Sequence, residues 1–553
     1  MMPVYFHLQS HLWVVYLFFV NGFLLHSCCQ NYSNQYAEMT RPLEASVLSA
    51  FFASLILNSC LLLLLDLTGL PFSNMSVFLP ITTLCLLTLM WRLGWSKIQA
   101  SFNADFSLTR LCLYGFVFII LFYNGGLIEQ ISDAWWHMSL ANKIALQSTF
   151  SPEVGHLTGV PTRYYPPLWH GNLALTRIMS DMPIAVYWNT LTGWAAVLKV
   201  MAFYLLAFAL SGKKSIASLS AILFVFLPGL GDSYLRVSAW PSHIAYIAMF
   251  ALFYVSFWIV DHYKQLHDRA LVSVLCNVIE QKQALFVLLL LVMIILFAHQ
   301  LELFWFYCGI TFYLIGLSIY RLCSKHCLAL SDSSNSLLML ITVCVLFVAI
   351  SASVYGFVGD WQSFENNLDR LLVYVFFLLL FSLLLIAFIL QQYRWTRILE
   401  TSVFIAMSVT GFLILISIDV RHMLALFWSD MAYPIASSPE VPHKVTGLFG
   451  GDLLLPGWHL QLRSALLYSG LASIPLSIGL MLLKPSRLSI FLCANGVSAL
   501  LFCVSPYLYQ WLTSVLNYHS IWRIMTLLFH PIIIAAATVV LWEKLRARSL
   551  DDS

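Results

Sequence analysis

Charge is scarce in this sequence. Asp, Glu, Lys and Arg make up only 10% of its 553 residues, against about 25% in soluble domains. That deficit excludes an ordinary water-soluble enzyme. The little charge present is nearly balanced, at a net +3 that by itself says nothing about nucleic acid; no run forms a basic arm, so no nucleic-acid partner is expected. Zinc-finger and disulfide-scaffold spacings are also missing. The 12 cysteines are scattered, with Cys28 and Cys29 adjacent and Cys323 and Cys327 beside a basic turn, and they read as small apolar core residues. Lys and Arg are lacking ahead of the first apolar run, "MMPVYFHLQSHLWVVYLFF", so a cleaved signal peptide is not expected. No internal repeat is visible.

What the chain has is apolar length. It is 60% hydrophobic, with a mean hydropathy of +0.84. A spanning helix needs about 20 mostly apolar residues. Such runs begin near Leu12, Ser46, Val77, Leu111, Ile184, Ser215, Pro241, Ala284, Glu302, Ser336, Leu371, Thr401, Ser464, Leu488 and Met525. A lipid-facing backbone must satisfy its own hydrogen bonds, so these runs predict helices. The expected fold is therefore all-α, a polytopic transmembrane helical bundle. Residues 1–110 would form N-terminal transmembrane helices and residues 111–553 the functional module.

Lys and Arg in short loops set the orientation. One set of loops holds Arg92, Lys97 and Arg110, then Lys213 and Lys214, then Lys264, Arg269 and Lys282, then Arg321 and Lys325, then Arg394 and Arg397, then Lys484 and Arg487. The alternate short loops carry single cations, Arg236, Arg370 and Arg523. The richer set is expected in the cytoplasm. That leaves two long extracytoplasmic loops, 129–182 and 419–463.

The first of these loops concentrates the polar chemistry. In "SDAWWHMSLANKIAL", Trp136, Leu140 and Ile144 recur at i, i+4 and i+8, the pattern of an amphipathic helix in the membrane interface. Asp133 and His137 are four apart and share a face. Pro and Gly then break the pattern until "LWHGNLALTRIM" resumes it as a second short helix. These features resemble the GT-C superfamily of membrane glycosyltransferases, of the lipid A aminoarabinose transferase and protein O-mannosyltransferase type. The resemblance implies a GT-C-like bundle with two interfacial helices in a long extracytoplasmic loop. It also implies an acidic residue soon after a spanning helix, matched by Asp133, and a Pro-Pro turn, matched by "RYYPPLWH" at 163–170. "FLPGLGDSYLRVSAWP" (226–241) looks like the second loop, with Asp232 as a further acid. "NYHSIWRIMTLLFHP" (517–531) looks like the late loop where an arginine meets the lipid phosphate. The chain departs from the pattern in having three apolar spans before the site and Asp-x-x-x-His in place of a doubled acidic pair.

Glycosyl transfer from a polyprenyl phosphate needs a base for the acceptor hydroxyl and positive charge for the departing phosphate. Asp133 is the candidate base, with Asp232 as second acid; the plain alternative for Asp133 is a helix cap. His137 could orient Asp133, bind acceptor, or join it as a metal ligand, since a carboxylate and an imidazole can hold a divalent ion. It could equally be a solvated interfacial histidine. Tyr164, Tyr165 and His170 would shape the sugar site, while Trp135 and Trp169 read as an interfacial aromatic belt. Arg523, with Arg236, would receive phosphate through its planar fork of donors; the alternative is a snorkelling arginine. His299 and Glu302 flank a short outside turn. Lys199 is deeper, placed to contact phosphate or to pair with a buried acid. Ionisable groups among apolar spans are functional candidates by default.

The expected protein is thus a multi-pass glycosyltransferase of the cell envelope, in a bacterial inner membrane with its active site facing the periplasm. Its partners would be a polyprenyl-phosphate-linked sugar, a glycan, lipid or protein acceptor, and membrane lipids. No cofactor is required beyond a possible divalent ion. One alternative is an O-antigen polymerase or ligase, with the chemistry in the second long loop at Arg421 and His443. Another is a non-enzymatic flippase or transporter of lipid-linked sugar, against which the absence of a repeat weighs.

Overall fold

The structure is a computed structural model. It describes residues 4–32, 34–93, 107–128, 133–150, 166–226, 239–265, 282–299, 301–323, 443–446, 452–455, 473, 476–481, 485–504 and 526–551. The described helices are α1 (Val4–Val15), α2 (Asn21–Tyr32), α3 (Asn34–Met39), α4 (Leu43–Thr68), α5 (Met75–Leu93), α6 (Leu108–Ile128), α7 (Asp133–Gln147) and α8 (Pro167–Ser180). They continue with α9 (Ile184–Ser211), α10 (Lys214–Phe226), α11 (Pro241–Gln265), α12 (Lys282–Ala298), α13 (Leu301–Cys323), α14 (Arg487–Val504) and α15 (His530–Asp551). Among the described residues, six helical stretches are long and apolar enough to cross a membrane: Leu8–Gln30, Leu43–Thr68, Phe72–Leu93, Ile184–Ser211, Pro241–Asp261 and Thr526–Glu543. The protein is an integral, multi-pass, all-α bundle. One small antiparallel hairpin, His443–Thr446 paired with Asp452–Leu455, breaks the helical rule inside the second long loop. The spans expected near Ser336, Leu371, Thr401 and Ser464 lie outside the described residues.

The chain divides into two compact units. The first comprises Met1–Ala209, Leu235–Ile259 and Val274–Leu303. Here α1 runs into α2 through a π-helical turn at Tyr16–Val20. Such turns loosen the backbone ladder, and the Leu17 carbonyl accepts a hydrogen bond from Asn58 Nδ2 of α4 at 2.9 Å. Helices without a hydrophobic drive between them associate through small residues and polar bonds. Gly22 of α2 meets α4 so closely that a Cβ there would fall 1.8 Å from the Ala50 carbonyl oxygen, and its amide donates to Ser54 Oγ at 2.8 Å. Gly69 ends α4 with φ +68°, the left-handed conformation that favours glycine at a helix end. Helix α5 is mostly outward-facing, with Val77, Ile81, Leu84 and Trp91 exposed, as suits contact with lipid. At the far end of this unit, Arg110 was counted in the sequence as a loop cation. It is instead buried and paired with Glu44 at 2.8 Å, beneath which its guanidinium covers the Tyr204 ring at 4.6 Å.

The second unit comprises Leu210–Tyr234, Val260–Ser273 and Phe304–Ser553. In it α10 packs on α15, with Lys213 paired to Glu543. Arg487, at the start of α14, grips Asp261 with two parallel bonds of 2.7 Å. Gly316 of α13 presses on Ala494 of α14, and Asn495 Nδ2 donates to the Gly309 carbonyl at 3.1 Å.

Candidate functional site

Helices α7 and α8 fall where the sequence periodicity places them, and they pack on each other. The buried positions of α7 are Ala134, His137, Met138, Leu140, Ala141 and Ile144, whereas Trp135 is 55% exposed. His137 is therefore part of the inward stripe, not of the solvated face. Helix α8 opens on Pro167 at its first turn, where a missing N–H does no harm. It is more enclosed than an amphipathic surface helix would be: every residue from Leu168 to Thr176 is buried. Its polar residues are used inward. Asn172 Nδ2 donates to Ser59 Oγ at 3.0 Å, and its Oδ1 accepts from Asn58 Nδ2 at 3.1 Å. Trp169 does not join an aromatic belt. It is fully buried, with its indole N–H on the Ala239 carbonyl at 2.8 Å, and so fixes the approach to α11.

Where α7 and α8 cross, His137 Nδ1 and His170 Nε2 are 2.9 Å apart. His170 Nδ1 faces the Pro166 carbonyl at 3.4 Å. A carbonyl can only accept, so His170 carries its proton on Nδ1 and receives one from His137 Nδ1–H. In this tautomer the Nε2 of His137 presents a lone pair. His170, expected to bind substrate, has both ring nitrogens engaged. Aromatic rings wall the pair. Trp188 stacks on His137 at 6.3 Å, Trp240 is 6.2 Å from it, and Trp136 meets both imidazoles edge-on. Among the described residues, the indole N–H groups of Trp188 and Trp240 are buried without a hydrogen-bond partner. Burial holds both imidazoles neutral. His170 is lowered to about 4. His137 is held well below its ordinary value by burial first, then by His170 and His299.

That influence brings His299 into the same neighbourhood. His299 Nδ1 pairs with Glu302 Oε2 at 2.5 Å, the carboxylate being fully buried and the imidazole partly exposed. Four expected site residues, His137, His170, His299 and Glu302, are thus gathered in one region. Asp133 opens α7 one turn before His137; its side chain is outside the described residues, as are Tyr164, Tyr165, Asp232, Arg236 and Arg523. Trp188 and Trp240 were not singled out from sequence. They join the site through long-range contacts that leave no periodic trace, although their placement at the starts of apolar helices was a usable hint. Among the described residues no group of three His, Cys, Asp or Glu could hold a metal ion, and His137 already uses Nδ1 on His170. The described residues therefore do not make a metal site.

No family model matches the chain, and no curated protein does. Solved structures of an oligosaccharyltransferase from Archaeoglobus fulgidus are similar to it. One, of AglB in complex with an inhibitory peptide and a dolichol-phosphate, has a TM-score of 0.49 at 14% identity, covering 81% of this chain and 52% of that one. The apo form gives 0.49 at 12%, covering 80% and 52%. A form tethered to an acceptor peptide gives 0.47 at 11%, covering 75% and 46%. The chain spans about half the length of these structures.

Proposed function

We propose that this protein is a membrane glycosyltransferase that moves a sugar from a polyprenyl-phosphate carrier to an acceptor hydroxyl outside the cytoplasm. The observation that carries this reading is the gathering of His137, His170, His299 and Glu302 at the two short helices that follow α6, one helical turn from Asp133. In the reaction the acceptor oxygen attacks the anomeric carbon. The bond from that carbon to the phosphate oxygen breaks, and the electron pair leaves with the phosphate. Asp133 takes the hydroxyl proton, and Arg523, with Arg236, receives the phosphate charge. Asp232 is the reserve acid, and Tyr164 and Tyr165 flank the sugar. His137, kept neutral by burial, orients the acceptor or Asp133 without competing as a cation, and His299 with Glu302 borders the same space.

The test is transfer from a synthetic polyprenyl-phosphate sugar by the full chain. Asp133→Asn keeps size and loses basicity, so turnover should fall by about two to four orders of magnitude with donor binding nearly intact. Arg523→Lys keeps charge but loses the fork and should weaken donor binding as well as turnover. Full activity in Asp133→Asn would make Asp133 a cap only and move the base to Asp232 or to the second long loop, which would favour the polymerase or ligase reading.

A further inference from the structure

A groove in the first unit lies away from the histidine site, and the mechanism above does not use it. One wall is the face of α4 from Ala45 to Ile56, and the other is α12 from Val287 to Ile294. Buried residues of α9 and α11, Leu205 and Tyr254 among them, form the floor. Helix α3 and the turn after it close one end with Tyr36, Met39 and Thr40. The groove holds about 570 Å³ of unfilled space, part of it open at the surface. Along α4 it runs eleven residues, about 16 Å, the depth of one leaflet in a hydrocarbon core of about 30 Å. Leu205 stands seventeen residues past Trp188 on α9, about 25 Å of helix, so the groove and the histidine pair lie toward opposite ends of that span.

The lining is dry by chemistry. Each of its four polar side chains already has a partner. Tyr36 Oη meets His26 Nδ1 at 2.8 Å and is bonded by Ser49. Thr40 Oγ1 donates to the Tyr36 carbonyl at 2.7 Å, and Tyr254 Oη donates to the Met39 carbonyl at 2.6 Å. Water needs several polar partners to stay in such a space, and apolar cavities remain empty of it. The closed end, by contrast, carries charge. Arg41 is exposed at the turn into α4, four residues ahead of Ala45. Lys282 opens α12, five residues ahead of Val287. Helix α12 finishes beside His299, in the neighbourhood of the histidine pair, so its start belongs at the same end as Arg41. Glu44 is answered by Arg110. Among the described residues, Arg41 and Lys282 then stand against Glu38. Basic pockets between spanning helices suit the head groups of anionic lipids.

We propose that the groove between α4 and α12 binds an anionic phospholipid, with one acyl chain lying along α4 and the phosphate at Arg41 and Lys282. An apolar slot one leaflet deep, with cations at one end of both walls, matches that lipid in length, polarity and charge. The site is independent of the glycosyltransferase reading. A carrier lipid serving the histidine pair would hold its phosphate toward the other end of α9.

The experiment uses the full chain, delipidated in detergent, and measures binding of dioleoyl phosphatidylglycerol, dioleoyl phosphatidylcholine and undecaprenyl phosphate by native mass spectrometry. Wild type should hold phosphatidylglycerol about tenfold more tightly than phosphatidylcholine, as expected for a head group near two cations. Arg41→Gln should weaken phosphatidylglycerol by about fivefold and leave phosphatidylcholine unchanged. Ala53→Phe, at a half-buried position of the α4 wall, should weaken both phospholipids by about tenfold or more, because the chain loses its buried length. Val287→Phe fills the groove from the facing wall and should do the same; it carries the test if Ala53→Phe does not fold. Undiminished phosphatidylglycerol binding in the filled variants would overturn the site. Equal affinity of wild type for the two phospholipids, or an unchanged preference in Arg41→Gln, would overturn the anionic head group. Undecaprenyl phosphate binding more tightly than phosphatidylglycerol, and lost on filling the groove, would overturn the phospholipid as occupant.

Discussion

At the scale of single residues, the pairing of His137 with His170 makes a prediction about pH. Both imidazoles are buried and depressed, His170 to about 4, whereas an unfolded histidine titrates near 6.5. Between those values the unfolded chain binds protons that the folded chain refuses. The stability of this pair is therefore fully present above about pH 6.5 and is lost as pH falls toward 4. For His170 the loss is about 2 kcal/mol by pH 5. The melting temperature in detergent should drop from pH 7 to pH 5, and His170→Gln, which cannot titrate, should show a visibly shallower drop. Parallel curves for the two proteins would mean that the pair is not held neutral. Part of this was legible: His137 falls on the stripe of Ala134, Met138, Ala141 and Ile144. Its partner was not, because 33 residues separate the two rings and periodicity carries no information over that distance. Arg110 was misplaced for the same reason, its carboxylate partner Glu44 being 66 residues away.

At the scale of elements, the short helices α7 and α8 were readable because the amphipathic period and the Pro and Gly that interrupt it are local. The enclosure of α8 was not. Asn172 and His170 look polar in sequence, and only the bonds to α4 and α7 show that they face protein. The close pass of α2 over α4 was equally hidden, since a lone glycine in an apolar run says nothing about its neighbour. Gly22→Ala would drive a methyl into the Ala50 carbonyl, which is backbone and cannot swing aside. It should destabilise the protein by about 1–3 kcal/mol, the range for overpacking. Gly115→Ala, with no atom of the described residues within 4 Å of the new methyl, should leave the melting temperature unchanged or slightly raised. Equal effects of the two substitutions would show that α2 and α4 do not approach as closely as they do here.

At the scale of the whole molecule, α9 relates the two polar regions of the first unit. Trp188 near one end stacks on His137, and Tyr204 toward the other is covered by the Arg110 guanidinium. Sixteen residues of helix separate them, about 24 Å, most of the thickness of a hydrocarbon core. On the membrane reading the histidine site and the Glu44–Arg110 pair are expected near opposite faces. Loop charges in the sequence, Arg92 and Lys97 ahead of α6 and Lys213 and Lys214 after α9, place Ser211 on the cytoplasmic side and the loops around Gly155 and Ser437 outside. Single cysteines introduced into a variant lacking the 12 native ones should react with an impermeant maleimide in intact cells at Gly155 and Ser437, and should react at Ser211 only after the membrane is opened. Labelling at Ser211 from outside would invert the bundle. It would put Asp133 and the histidine pair on the cytoplasmic face, where an acceptor outside the cell membrane could not reach them.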